Sequence, residues 1–338
     1  MGYSSTPTLS WTFCVTVCFC VLTNTDGMSV WRSRSDALTN GKHGSFCFRH
    51  ICECSGPLAN CGFGHLTFIP SLWDNITQLN FTDNSLHRIS RATFANITHL
   101  KLDFLSLAWN KIRNISDDAL SVLVELKHLD LTGNDLLTTT DLATAFHGLD
   151  NTPLQSLTLR AMKLKHIPVD MFHGMRNNTL KYLVLERNHL QEYNQEPFSV
   201  LRNIRVIELG GNNIRSLKWG HSPHLSSLSL PGNRITEVPS FCGFNSSFYP
   251  MLKRLALEHN LLTDMRPHMF RCLPHINVLG LNDNPIEGIE TNTFSELSTL
   301  KTIFLQNLKG STFFIKNYAF NNSNIQRISM KGTRIVYR

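Results

Sequence analysis

The sequence predicts an α/β horseshoe solenoid, with a parallel concave β-sheet, an irregular convex side and a cysteine-stapled N-terminal cap. Three observations predict it. A phrase of pattern LxxLxLxxNxL recurs eleven times between Ile76 and the end of the 338-residue chain. Its ninth position is Asn in eight of the eleven copies. Four cysteines, Cys47, Cys52, Cys54 and Cys61, cluster just ahead of the first copy.

The copies open at Ile76, Leu102, Leu126, Leu154, Leu180, Ile204, Leu225, Leu252, Ile276, Leu300 and Ile325, at intervals of 21 to 28 residues. That is the period of leucine-rich repeats. One such unit cannot bury its apolar face alone, so coils must stack on neighbours. Within each copy apolar and polar residues alternate, as in Leu129-Asp130-Leu131 and Leu183-Val184-Leu185. Period two denotes a strand with alternate side chains inside and outside. Asn84, Asn110, Asn134, Asn188, Asn212, Asn233, Asn260 and Asn284 occupy a position expected to be interior. A recurrent interior amide needs hydrogen-bonding partners, and its donor and acceptor together suit backbone groups of two adjacent coils. Met162, Leu308 and Thr333 break this ladder. Phe94, Leu120, Phe172, Phe198, Phe270 and Phe294 each fall ten residues after a ladder position, and are expected to fill the core from the convex side. The 21-residue interval from Ile204 to Leu225 leaves no place for that aromatic.

The segments divide as follows: 1–26 a secretory signal, 27–46 a flexible lead-in, 47–75 the cap, and 76–338 the repeats. The signal rests on an apolar run of fourteen residues, 9–22, too short to span a bilayer. It lacks a basic leader, and cleavage is expected near Thr25 to Gly27. Removing Cys14, Cys18 and Cys20 with it leaves six of nine cysteines, an even number consistent with bridges in an oxidising compartment. Zinc is the competing reading of the cap cysteines, opposed by the secreted context and the lack of His at knuckle spacing. Cys242 and Cys272 lie in adjacent copies; coils stack at about 5 Å, which makes a bridge geometrically open. Seven glycosylation sequons, at Asn75, Asn80, Asn96, Asn114, Asn177, Asn245 and Asn321, support the secretory route. A glycan on Asn80, facing out of the first strand, would close the first coil as a binding surface.

No catalytic, metal or cofactor motif stands out. Gly62-Phe-Gly64 neither follows a strand nor opens a helix, and His221-Ser-Pro-His224 has no carboxylate or thiol nearby. A solenoid offers no strained elbow to activate a nucleophile, so a binding protein is expected and not an enzyme. The candidate binding face comprises Phe104, Trp109, His128, Arg160, Lys181, Tyr182, Arg187, Arg205, Lys253, Arg254, His259 and Phe304, because exposed aromatics beside Arg anchor interfaces. The formal charge of +7 invites a nucleic acid or other polyanion. Yet the strand positions and those just after carry ten Lys or Arg against seven Asp or Glu, which is no basic stripe. Fifteen His residues, spread along the chain, would favour stronger binding in acid compartments.

The cap spacing Cys47-x4-Cys52-x-Cys54-x6-Cys61 followed by Leu66-Thr-Phe-Ile69-Pro70, with the uneven repeats over residues 47–338, resembles extracellular leucine-rich-repeat proteins and, among them, Toll-like receptor ectodomains. The resemblance implies Cys47–Cys54 and Cys52–Cys61 bridges. It also implies recognition of microbial or self ligands on the concave or lateral face, with pairing of two horseshoes into a homodimer or heterodimer. The site of action would be the cell surface or an endosomal membrane. The chain reaches Arg338 without a second cysteine cap, membrane helix or signalling domain. It is therefore expected to be a partial sequence or a truncated soluble product, attached to a membrane only through a missing part. A secreted adhesion or extracellular-matrix protein that binds protein partners is the alternative.

Overall fold

The computed structural model describes residues 45–244, 247–308, 313–321 and 324–333. The signal segment with Cys14, Cys18 and Cys20, and the sequon Asn245, lie outside the described residues.

Every copy of the phrase contributes one short strand: Gln78–Asn80, Phe104–Ser106, His128–Asp130, Ser156–Thr158, Tyr182–Val184, Val206–Glu208, Ser227–Ser229, Arg254–Ala256, Val278–Gly280, Thr302–Phe304 and Arg327–Ser329. With three cap strands they form one 14-stranded sheet in chain order. Pairing between copies is parallel and never slips, so the fourth phrase position of each coil faces the same position of the next. Leu79 meets Leu105, Leu183 meets Ile207, and Ile303 meets Ile328. Those residues point inward and are buried from Leu79 through Ile303. Each leucine sealed in this way contributes roughly 1.5–3 kcal/mol.

Amide side chains bind one coil to the next. The Nδ2 of Asn188 donates to its own coil at the Leu185 carbonyl (3.0 Å) and to the previous coil at the Leu159 carbonyl (2.8 Å). Its Oδ1 accepts from the Met162 and Leu164 amides at 2.9 and 3.1 Å. Asn212 repeats the pattern on Leu209, Leu185 and the Leu190 amide. So does Asn284, on Leu281, Leu257 and the Leu262 amide. Asn84 reaches back into the cap, to the Cys61 carbonyl at 2.9 Å and the Leu66 amide at 2.8 Å. All eight ladder asparagines are buried. The Thr333 break is only partial: its hydroxyl donates to the Leu305 carbonyl (2.6 Å) and accepts from the Leu308 amide (3.2 Å). Met162 follows the longest interval, where a capped helix, Thr139–Phe146, replaces the usual turn. There Leu137, not the phrase residue Leu136, is the buried one.

The cap begins two residues earlier than the sequence suggests, inside the expected lead-in, with strand Ser45–Phe48. It pairs antiparallel with Cys52–Ser55, which pairs antiparallel with Leu58–Asn60. Leu58–Asn60 then pairs parallel with Gln78–Asn80, so this one strand joins a hairpin to the stack. Cys47 is bonded to Cys54 and Cys52 to Cys61. Cys52, Cys54 and Cys61 are buried over the first coil's leucines, covering an edge that would otherwise be open. Cys242 is bonded to Cys272 and fastens the long loop before Leu252 to the following coil.

The side of the stack away from the sheet, lateral and convex, is irregular: short 3-10 turns, one α-helix among the described residues, and two- or three-stranded ribbons such as Glu192–Asn194 with Ser216–Lys218. Aromatic rings run along its interior. Phe146, Phe172 and Phe198 lie 5.6 and 5.7 Å apart in succession, and Phe241, Phe270, Phe294 and Phe320 continue at 6.4, 5.7 and 5.1 Å. The 21-residue interval does carry an aromatic after all. Trp219 stacks on Phe241 at 4.9 Å, and Tyr193 bridges Trp219 to Phe198.

Replacing Asn188 with Leu leaves buried backbone groups unpaired and should lower stability by about 1–3 kcal/mol in chemical denaturation; an unchanged midpoint would remove the ladder from the account. Mild reduction should raise hydrogen exchange in residues 47–75 before the coils around Leu183, whereas uniform loosening would argue against a separately stapled cap.

Candidate binding face

Three outward residues per coil build the concave surface, and the turn after each strand builds its rim. The residue ahead of the ladder position is left-handed in every coil, from Asp83 at φ 55° to Gly332 at φ 76°. Trp109, Arg187 and His259 hold this conformation at φ 52°, 52° and 53°, a strained choice for bulky side chains. These three therefore stand on the rim, not on the strands. Lys181, Arg205 and Lys253 stand just ahead of strands, where their carbonyls each accept two amides from the next coil. Phe104, His128, Tyr182 and Arg254 open their strands, Phe304 closes one, and Arg160 lies two residues beyond another.

Phe104, Trp109 and His128 gather in the second and third coils, whereas Tyr182 and Phe304 stand apart in the fifth and tenth. The rings of Phe104 and His128 lie 6.4 Å apart. The half-exposed Trp109 ring covers Gly133, where an added Cβ would sit 2.3 Å from it. Beside them a chain of hydroxyls crosses three coils. Thr82 and Ser106 share a 2.9 Å bond, Ser106 donates to Asp130 at 3.4 Å, and Thr132 donates to Asp130 from backbone and hydroxyl. Burial raises the Asp130 pKa despite these donors, and burial lowers that of His128 despite Asp103.

The middle coils carry charge on a floor of small residues. Arg160 pairs with Glu186 at 3.7 Å, both largely shielded. Glu208 lies in the adjoining coil; burial, with Glu186 nearby, pushes its pKa up to about 7 against the pull of Arg160 and Arg254. Burial likewise raises Glu258, with Arg254 opposing. Around them the outward positions hold Ser227, Ser229, Ala256, Gly210 and Gly280. The Glu258 carboxylate lies directly on Gly280, where a Cβ would fall 1.8 Å from its Oε1. Selecting only basic and aromatic residues overlooks the acids Asp130, Glu186, Glu208 and Glu258, which occupy the same outward columns. Beyond them, His259 meets Asp283 at 3.4 Å.

Among the sequons, Asn75, Asn96, Asn114, Asn177 and Asn321 are exposed. Asn80 is half-buried and its Nδ2 donates to Asn60 at 2.9 Å, on the concave side of the first coil.

Because Glu208 holds its proton more tightly folded than unfolded, its contribution to stability is full below its ordinary value of 4.5 and is lost as pH rises to about 7. The variant Glu208→Gln should melt near the parent temperature at about pH 4.5 and above it at about pH 7.5. A parent that outlasts the variant at the higher pH would contradict this.

A leucine rich repeat family model matches residues 74–136, 152–214, 178–235, 223–286 and 250–309, more than half of the chain. Tsukushi of Gallus gallus is 26% identical over 275 residues, covering 80% of this chain and 65% of that protein. Toll-like receptor 3 of Bos taurus is 25% identical over 262 residues, covering 67% of this chain and 28% of that protein. The chain thus spans less than two thirds of the length of either relative. A chain of the mouse RP105/MD-1 complex shares the fold, with a TM-score of 0.59 at 18% identity over 80% of this chain and 45% of that one. With its capped stack of coils and these matches, the chain belongs to the leucine-rich repeat family, among its extracellular members.

Proposed function

We propose that this chain is the ligand-binding part of a secreted leucine-rich-repeat protein that holds a protein partner in its concave face. One observation carries the reading. Arg160, Glu186, Glu208, Arg254 and Glu258 form a partly desolvated, mixed-sign cluster over small residues, with the Phe104–Trp109–His128 group at one end. Charges already stripped of much of their water can exchange partners with a ligand at little further desolvation cost, and they select a complementary pattern. Aromatics on rigid strands supply contact area with little ordering entropy. The small residues Gly210, Ser229, Ala256 and Gly280 let these charged side chains lie low across the face, as Glu258 does on Gly280, where a partner can reach them.

The match to Tsukushi, which spans most of this chain and 65% of that protein, supports the secreted reading. A Toll-like receptor ectodomain, pairing with a second horseshoe on ligand binding, is the second reading, supported by the similarity to Toll-like receptor 3 over 67% of this chain. The mouse complex of RP105 with MD-1 illustrates a protein partner on this fold.

The test is a screen of the secreted chain against displayed extracellular proteins, followed by titration of each hit with concave variants. Trp109→Ala and Arg254→Ala should each weaken a true partner by about 1–2 kcal/mol or more. Unchanged affinity for both, with loss on substituting the convex residue Val124, would move the interface off the concave face.

A further inference from the structure

We infer that the chain carries a second, separate binding site for a sulfated polysaccharide, on the lateral face just beyond the ladder asparagines of the fourth to seventh coils. This rests on the extracellular reading above but not on the concave interface. A groove of about 720 Å³ lies there, lined by Lys165, Gln191, Asn213, Arg215 and Arg234, with Glu192 at its edge. His166 and Ser216 complete it. A count of charge that stops ahead of the ladder residue does not reach these positions.

Four properties point to the ligand. First, the side chains of Lys165, Arg215 and Arg234 have no ion pair or hydrogen bond among the described residues, whereas the nearby Lys163 is held by Asp135 at 2.6 Å. Three unneutralised cations facing one groove against a single acid select an anion. Second, Arg215 and Arg234 stand on successive coils, whose strands lie about 5 Å apart, and a planar guanidinium engages sulfate-type oxyanions through paired N–H donors. A linear chain with regularly placed anionic groups can follow such a row. Third, Gln191, Asn213 and Ser216 add neutral donors and acceptors that suit hydroxyl-rich sugar, and no Phe, Tyr or Trp lines the groove to stack on bases, His166 being its one ring. Fourth, the site is open and rigid. Its wall is the parallel ribbon in which Glu192 pairs with Ser216 and Asn194 with Lys218. None of the seven sequons falls among the lining residues. Acid residues Asp264, Glu287 and Glu290 on the next coils limit the stripe to a short length, enough for a few sugars and unfavourable to a long duplex.

The test is binding of the intact chain to a size-defined heparin oligosaccharide in near-physiological salt, measured by surface plasmon resonance. Arg215→Gln combined with Arg234→Gln should weaken binding by roughly tenfold or more, about 1.4 kcal/mol. The same charge change at Arg176 and Arg202, which line a different hollow, should leave it within roughly twofold. Gln191→Ala with Asn213→Ala should weaken the sugar without altering net charge. The inference is overturned if the parent does not bind heparin, if both double-Gln variants lose equally, or if de-sulfated heparin binds as well as native. Equal binding of an RNA duplex that tolerates the amide substitutions would replace it with a general polyanion surface. Matched melting temperatures for all variants exclude misfolding as the cause.

Discussion

The transfer of backbone hydrogen bonds from coil to coil through buried asparagine side chains is the constraint on which everything else depends. A strand of three residues makes too few ladder bonds to hold a chain that must turn out of the sheet at once. The turn leaves amides such as those of Leu190 and Ile214, and carbonyls such as those of Leu185 and Leu209, facing the interior. Asn212 and Asn233 satisfy them from the neighbouring coil. The same side chain therefore completes one coil's turn and fixes the next coil's register. The leucines supply the apolar stabilisation, and the amides decide which coil lies against which.

That register has a functional result. With no slip between copies, outward positions fall into straight columns, so residues 20 or more apart in the chain become neighbours at strand spacing. Arg160, Glu186 and Glu208 are brought together only because the three coils are in phase. The left-handed turn ahead of each asparagine then lifts Trp109, Arg187 and His259 to the rim. Beyond the asparagine the chain descends the lateral face, where Lys165, Arg215 and Arg234 meet. One turn geometry thus sets up a concave face of mixed charge and a lateral groove in which three cations face one acid, Glu192.

Much of this was legible in the residues alone. Alternating apolar residues and a spaced Asn define the strand, its phase and its capped stack, because the physics behind them is local and repeats. The aromatic row was legible only where the interval from the ladder stayed constant. Phe146, Trp219, Phe241 and Phe320 lie at other offsets, since an inserted helix or a shortened turn changes the path while the ring still reaches the same interior row. The concave acids were not legible: the high pKa of Glu208 arises from coils on both sides, and nothing in its own segment signals burial. The lateral groove needed the pairing of Glu192 with Ser216 to show that segments far apart in sequence share one wall.

The most direct measurement of the central claim is residue-resolved hydrogen exchange on the native chain. The amides of Leu86, Leu190, Ile214, Ile235 and Leu262 lie outside the sheet strands yet donate to asparagine side chains of the following coil. They should exchange as slowly as the strand amides of Leu183 and Ile207. Exchange at the rate of an exposed turn would mean that the coils are not joined by their asparagines, and that the aligned faces lack the support assigned to them.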